Sequence, residues 1–185
     1  MVSSHRTKFK RIVWPLAIAQ TFLWAGAFYL FPSLLGEWER DLGWSKAEAA
    51  GAFTTALLLS AFLAPFVGKQ IDKGRSQILF PTATLVTAVL LGALSFVTEL
   101  WHFYLVWASL GVVMAGSLYE PCFAILTLHM GKRAPQSITL VTLLAGFAGT
   151  IAFPTAHALI EEIGWRGVIL TFAILIGLIS APLNL

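Results

Sequence analysis

Glu120 poses the first chemical question in this chain. Residues 116–123 read GSLYEPCF, and no Lys or Arg lies within ten residues of the carboxylate on either side. The surrounding run is apolar, so an ionised acid there carries a desolvation cost unless something compensates it. Two readings follow. In one, Glu120 is protonated, or hydrogen-bonded to a tyrosine or to backbone groups freed by Pro121. In the other, it faces a cavity and binds a proton, a cation or a polar group of a substrate. Tyr119, Gln20, Tyr29 and Thr54 are the polar residues that would line such a site with it, joined by Thr21 and Thr55. His157 is a second titratable candidate, whereas Trp24 and Trp107 read as packing.

Other chemistries find little support. The single cysteine, Cys122, allows no intrachain disulfide and reads as packing. The chain holds no metal-ligand spacing, no Ser–His–acid set and no Gly-rich phosphate loop, so no enzyme, metal or cofactor is expected.

The elements that must position these residues follow from composition. Of 185 residues, 58% are hydrophobic and 11% charged, and the mean hydropathy is +0.82. Soluble domains carry roughly 25% charged residues. A chain this apolar is expected to have the bilayer as its solvent, with helical spans of about 20 residues. Six are predicted, at 12–34, 48–68, 78–98, 103–127, 137–160 and 167–185, after a basic tail at 1–11. The apolar run continues well past Ala19, so the first helix reads as uncleaved rather than as a signal peptide. None of these spans holds a Lys or Arg. Glu120 lies seven residues from the end of its span, which is about 10 Å deep at 1.5 Å per residue. His157 lies near the opposite end of the next span, so the two are not expected to pair.

Charge orients the spans. Nine of the twelve basic residues (Arg6, Lys8, Lys10, Arg11, Lys69, Lys73, Arg75, Lys132 and Arg133) fall on one predicted side, and seven of the nine acids on the other. The positive-inside rule then puts both termini in the cytoplasm. The same asymmetry accounts for the sequence pI of about 9.2, without any basic module for nucleic acid. Trp38, Trp44, Trp101 and Trp165 flank the predicted outer ends, as an interfacial aromatic belt would. Ser45 and Glu48 have capping-box spacing at the start of the second helix. That helix also carries a small residue at every fourth position: Ala52, Ala56, Ser60, Ala64 and Gly68. AGAFYLFP in helix one and AGSLYEP in helix four share Ala-Gly, a Tyr three residues after the Gly, and a Pro. The two helices would run in opposite directions, the mark of inverted repeats in transporters.

The link between helices two and three reads GKQIDKGR from Gly68 to Arg75. With its Gly68, Asp72, Lys73, Gly74 and Arg75, it resembles the signature loop of the major facilitator superfamily, with one departure: either the loop is one residue short between the acid–base pair and the second Gly, or Arg75 occupies that Gly position. The resemblance covers the whole chain as the N-terminal half of a member. It implies an all-α membrane fold with a six-helix bundle of three-plus-three inverted repeats, opposite a second six-helix bundle. LGWSKAEAAGAF, SLYEPCFAILT and IEEIGWRG look more specifically like a bacterial branch near the monocarboxylate and oxalate–formate porters. Trp107 stands four residues before Gly111, where drug–proton antiporters of the superfamily carry Arg, and FPTAHA at 153–158 replaces their paired-Gly signature. The expected function is proton-coupled secondary transport of a small organic molecule by alternating access, in the bacterial cytoplasmic membrane. The expected partners are lipid, a small solute, a proton and the second bundle. The alternative is a self-contained six-helix membrane protein acting as a homo-oligomer or interaction partner. The branch favours an organic anion and Glu120 favours a proton or a cation, a conflict the sequence leaves open.

Overall fold

The computed structural model describes residues 2–184, with side chains for Phe9 and for 11–184. The side chains of Arg6, Lys8 and Lys10, counted above toward orientation, lie outside the described residues. Every element among the described residues is helical.

The first rod is longer than the 12–34 predicted. It comprises α1 (Val2–Trp24), a π-helical turn (Ala25–Tyr29) and α2 (Leu30–Leu42). Trp24 and Leu30 both keep right-handed helical angles, so the axis runs through the turn. Residues 2–11 of the predicted tail are its first turns. Gly43, at φ 72°, ends the rod in the left-handed conformation that glycine adopts without strain.

Ser45 opens α3 (Lys46–Asp72) with the expected capping box. Glu48 N–H donates to Ser45 Oγ at 3.2 Å, and Ser45 N–H donates to Glu48 Oε2 at 2.9 Å. α4 (Ser76–Leu94), α5 (Leu100–Ser117), α6 (Tyr119–Met130), α7 (Ala134–Ala145) and α8 (Ala148–Leu175) follow. A second π-helical turn, Ile176–Ser180, and the short α9 (Ala181–Leu183) complete the described chain.

Four helical stretches are long and apolar enough to cross a membrane: Arg11–Leu42, Lys46–Asp72, Ser76–Leu94 and Leu100–Leu183. The last has 84 residues. A straight helix of that length would reach about 126 Å, far beyond a hydrocarbon core of about 30 Å. It is instead interrupted. Leu118 leaves helical angles at ψ −144°, and Gly131 and Gly164 take φ of 51° and 66°. α6 then packs against α7, and α8 packs against the first rod and α4.

The small-residue stripe of α3 is covered only toward its Lys46 end. Ala52 and Ala56 are fully buried. A Cβ on Gly111 of α5 would lie 2.3 Å from the Ala56 carbonyl oxygen, so only glycine permits that approach. Gly68, at the Asp72 end, has nothing within 4 Å of its Cβ position. There an open groove of about 510 Å³, lined among others by Val67, Leu79, Val112 and Gly116, separates α3 from α4 and α5.

The core is aromatic around α2, α3 and α5. Phe31 and Phe53 stack at 4.4 Å, and Trp107 meets both edge-on at 5.2 Å. Trp107 packs as expected. The aromatic belt needs correction. Trp38 is fully buried against Phe103 at 4.9 Å, and Trp165 is buried as well, whereas Trp101 is 62% exposed. The reason is local. Trp165 Nε1 donates to Asp41 Oδ2 at 2.7 Å, Arg166 lies 4.1 Å over the Trp165 ring, and Arg166 also donates to the Val97 carbonyl at 3.1 Å. These bonds draw Trp165 inward and tie α2, α8 and the α4–α5 link together.

Candidate functional site

The site residues gather where the α5–α6 run breaks. Pro121 has no N–H, so the Ser117 carbonyl four residues earlier loses its intrahelical donor. Leu118 turns out of helical geometry, and α6 begins at Tyr119. Ser117 and Leu118 are buried, and a buried carbonyl without a partner costs free energy. Gln20 of α1, itself fully buried, supplies the missing donor. Its Nε2 lies 3.0 Å from the Ser117 oxygen and 3.2 Å from the Leu118 oxygen. Ser117 Oγ bonds the Val113 carbonyl at 3.0 Å and lies 3.5 Å from Thr87 Oγ1. The Oε1 of Gln20 has no hydrogen-bond partner among the described residues.

Gln20, a candidate for lining the site, therefore sits behind it as a clamp on the break. A signal for the break was present in the sequence: Ser117-Leu118-Tyr119-Glu120 has helix-start spacing, followed at once by Pro121. No side-chain cap forms there.

Glu120 stands in the first turn of α6 and is exposed. Free amides and the helix dipole make that position favourable for a carboxylate. Neither a hydrogen bond nor an ion pair engages it among the described residues. Tyr119, half-buried, stacks on Phe123 at 4.9 Å and meets Trp24 at 4.6 Å. Trp24 in turn lies 5.1 Å from Phe28 and 6.5 Å from Tyr29. Trp24, read from sequence as packing, is thus only partly buried and joins the two tyrosines. Its contact with Tyr119 brings Glu120 level with the middle of the first rod rather than near one end.

Tyr29 also touches α8. A Cβ on Gly149 would lie 3.3 Å from its ring, and Phe153 is 6.5 Å away. The remaining candidates stand apart. Thr54 is exposed and returns its hydroxyl to the Ala50 carbonyl at 2.9 Å; Thr55 and Thr21 do the same to Gly51 and Ala17. These hydroxyls are occupied by their own helices. His157 is exposed on α8 with no bond to Glu120 among the described residues.

The α3–α4 loop is a helix stop followed by a start. Gly74, at φ 77°, donates to the Ile71 carbonyl at 2.8 Å, and Arg75 N–H donates to the Gln70 carbonyl at 3.2 Å. The Arg75 guanidinium donates to Gln70 Oε1 at 2.8 Å. Gln70, rather than Asp72, thus holds the Arg75 side chain. Asp72 and Lys73 are exposed and unpaired among the described residues. Gly68, the last small residue of the α3 stripe, has nothing within 4 Å of its Cβ position.

A family model described as Major Facilitator Superfamily matches residues 16–184. No curated protein matches the chain.

Proposed function

The chain belongs to the major facilitator superfamily, and from that premise we propose that it forms the N-terminal six-helix half of a proton-coupled secondary transporter. Members of the superfamily carry small solutes across membranes and are generally not enzymes. An integral membrane location follows from the family and the apolar helices. In our reading the 84-residue stretch crosses the bilayer three times, reversing near Gly131 and Gly164. Both termini face the cytoplasm of a bacterial cell.

The proposed three-plus-three repeat is supported by a shared irregularity. Helix one carries its π-helical turn at AGAFY, and helix four breaks beside AGSLY. Gly26 and Gly116 are both close-packed, and Tyr29 and Tyr119 converge on Trp24. In this reading the face bearing Glu120 lines a central path and is closed by a second six-helix bundle, with alternating access arising between the two. A second copy of this chain in that position is the alternative. The place near the monocarboxylate and oxalate–formate porters rests on three sequence segments alone.

The observation that carries the coupling role is the exposed, unpaired Glu120 at the α6 start. Replacing Glu120 with Gln in proteoliposomes should abolish substrate accumulation driven by a pH gradient. Exchange of substrate should persist at raised substrate concentration. Undiminished accumulation would remove Glu120 from coupling.

A further inference from the structure

We propose that the face formed by Trp24, Tyr29, Tyr119 and Glu120 takes an organic cation, an amine or a quaternary ammonium with apolar substituents. The proposal rests on the transporter reading and names its substrate class. Glu120 supplies the formal charge and has no basic partner among the described residues. The rings supply the rest. Trp24 and Tyr119 lie 4.6 Å apart and Trp24 and Tyr29 lie 6.5 Å apart, and all three are partly exposed. Aromatic faces are negative and attract a cation within about 6 Å of a ring centroid. Phe28, 5.1 Å from Trp24, and Phe123, stacked on Tyr119 at 4.9 Å, add apolar surface for the substituents.

The charge around this face excludes its opposite. None of the predicted spans contains a Lys or Arg, so a carboxylate substrate would meet Glu120 and ring faces with no positive partner from this chain. A divalent metal is no better served. Calcium takes 6–8 oxygen ligands, and magnesium an octahedral set. No group of three or more metal-binding side chains occurs among the described residues. One exposed carboxylate, next in sequence to Tyr119 and its partly exposed aromatic neighbours, suits a cation whose charge is buried within its own apolar shell.

Calorimetric titration of the purified full-length protein with benzyltrimethylammonium and with benzoate tests this. The ammonium should bind and the carboxylate should not. Glu120→Gln should weaken ammonium binding at least tenfold. Trp24→Leu should weaken it severalfold while Trp24→Phe retains most of it, which separates loss of a ring from loss of the fold. Trp101→Leu, at an exposed position away from the site, should change nothing. Absence of ammonium binding, preference for benzoate, or ammonium binding indifferent to both Glu120→Gln and Trp24→Leu overturns the proposal. Flux in proteoliposomes judges the transporter reading separately. Benzoate flux without ammonium flux sinks the cation site and leaves the transporter. Ammonium binding without flux of any solute sinks the transporter and leaves the cation site.

Discussion

Gln20 Nε2 lies 3.0 Å from the carbonyl oxygen of Ser117, the oxygen that Pro121 deprives of its own helix donor. One side chain in the first rod thus repairs a defect that a proline creates in another helix, one turn from Glu120. The repair makes a prediction in which two residues depend on each other. Gln20→Leu should cost about 1–3 kcal/mol, because it leaves a buried carbonyl unpartnered. In a Pro121→Ala background the alanine N–H can serve Ser117, and the same substitution should cost well under half as much. A double-mutant cycle on unfolding in detergent reads the coupling. Additive losses would show that Gln20 acts elsewhere.

Glycine substitutions on the α3–α5 pair should divide sharply. Gly111→Ala places a methyl 2.3 Å from a backbone oxygen that has no side-chain freedom to yield. It should lower stability by about 2 kcal/mol or more, in the range of core overpacking. Gly68→Ala meets nothing within 4 Å and should be neutral or stabilising by up to about 1 kcal/mol through helix propensity. Melting temperatures of the two variants, compared side by side, check the contrast. Equal effects would mean that the helices are not packed as described.

The link between α2 and α8 should behave as a unit. Trp165→Phe removes the 2.7 Å bond to Asp41 and keeps an aromatic, though smaller, ring, so a loss of at least about 1 kcal/mol is expected. Asp41→Asn, which retains an acceptor, should lose less. Combining the two should cost no more than Trp165→Phe alone, as measured by thermal unfolding. A fully additive double variant would argue against the bond.

Exposure separates neighbours in the sequence. In a background where Cys122 is the only thiol, a hydrophilic maleimide should fail to label it in the folded protein, because it is fully buried. Glu120→Cys should label readily, two residues away on the open face. Mass spectrometry after timed quenching gives both rates. Rapid labelling of Cys122 would contradict the packing of α6 against α1 and α7.

Much of the frame was legible from the sequence because the bilayer permits so few solutions. Runs of apolar residues between charged links must be helices, and Ser45 with Glu48 announced the start of α3. Glu120 was legible because an acid in such a run has few reasons to be there. The first rod was misjudged at its ends, since nothing between Val2 and Leu42 forces a stop until Gly43. Trp38 and Trp165 were assigned to an interface from their distance to the span ends. Trp38 is buried against Phe103 of another helix, and Trp165 is held by Asp41, 124 positions away, while its neighbour Arg166 reaches Val97, 69 positions away. Gln20 was counted as polar lining, because its role exists only through a buried carbonyl left without its helix donor 97 residues later. Pairings of that kind leave no periodicity to read.

The one-sided packing of α3 has a geometric meaning. Ala56 and Gly111 approach backbone to backbone, and from that contact α3 extends about 15 Å toward Lys46 and about 24 Å toward Asp72, at 1.5 Å per residue. Along the longer part the small residues Ser60, Ala64 and Gly68 are only half-buried, although Ile71 near its end is buried. The tightest approach of the pair therefore divides α3 unequally, and the longer part carries the α3–α4 loop at its end.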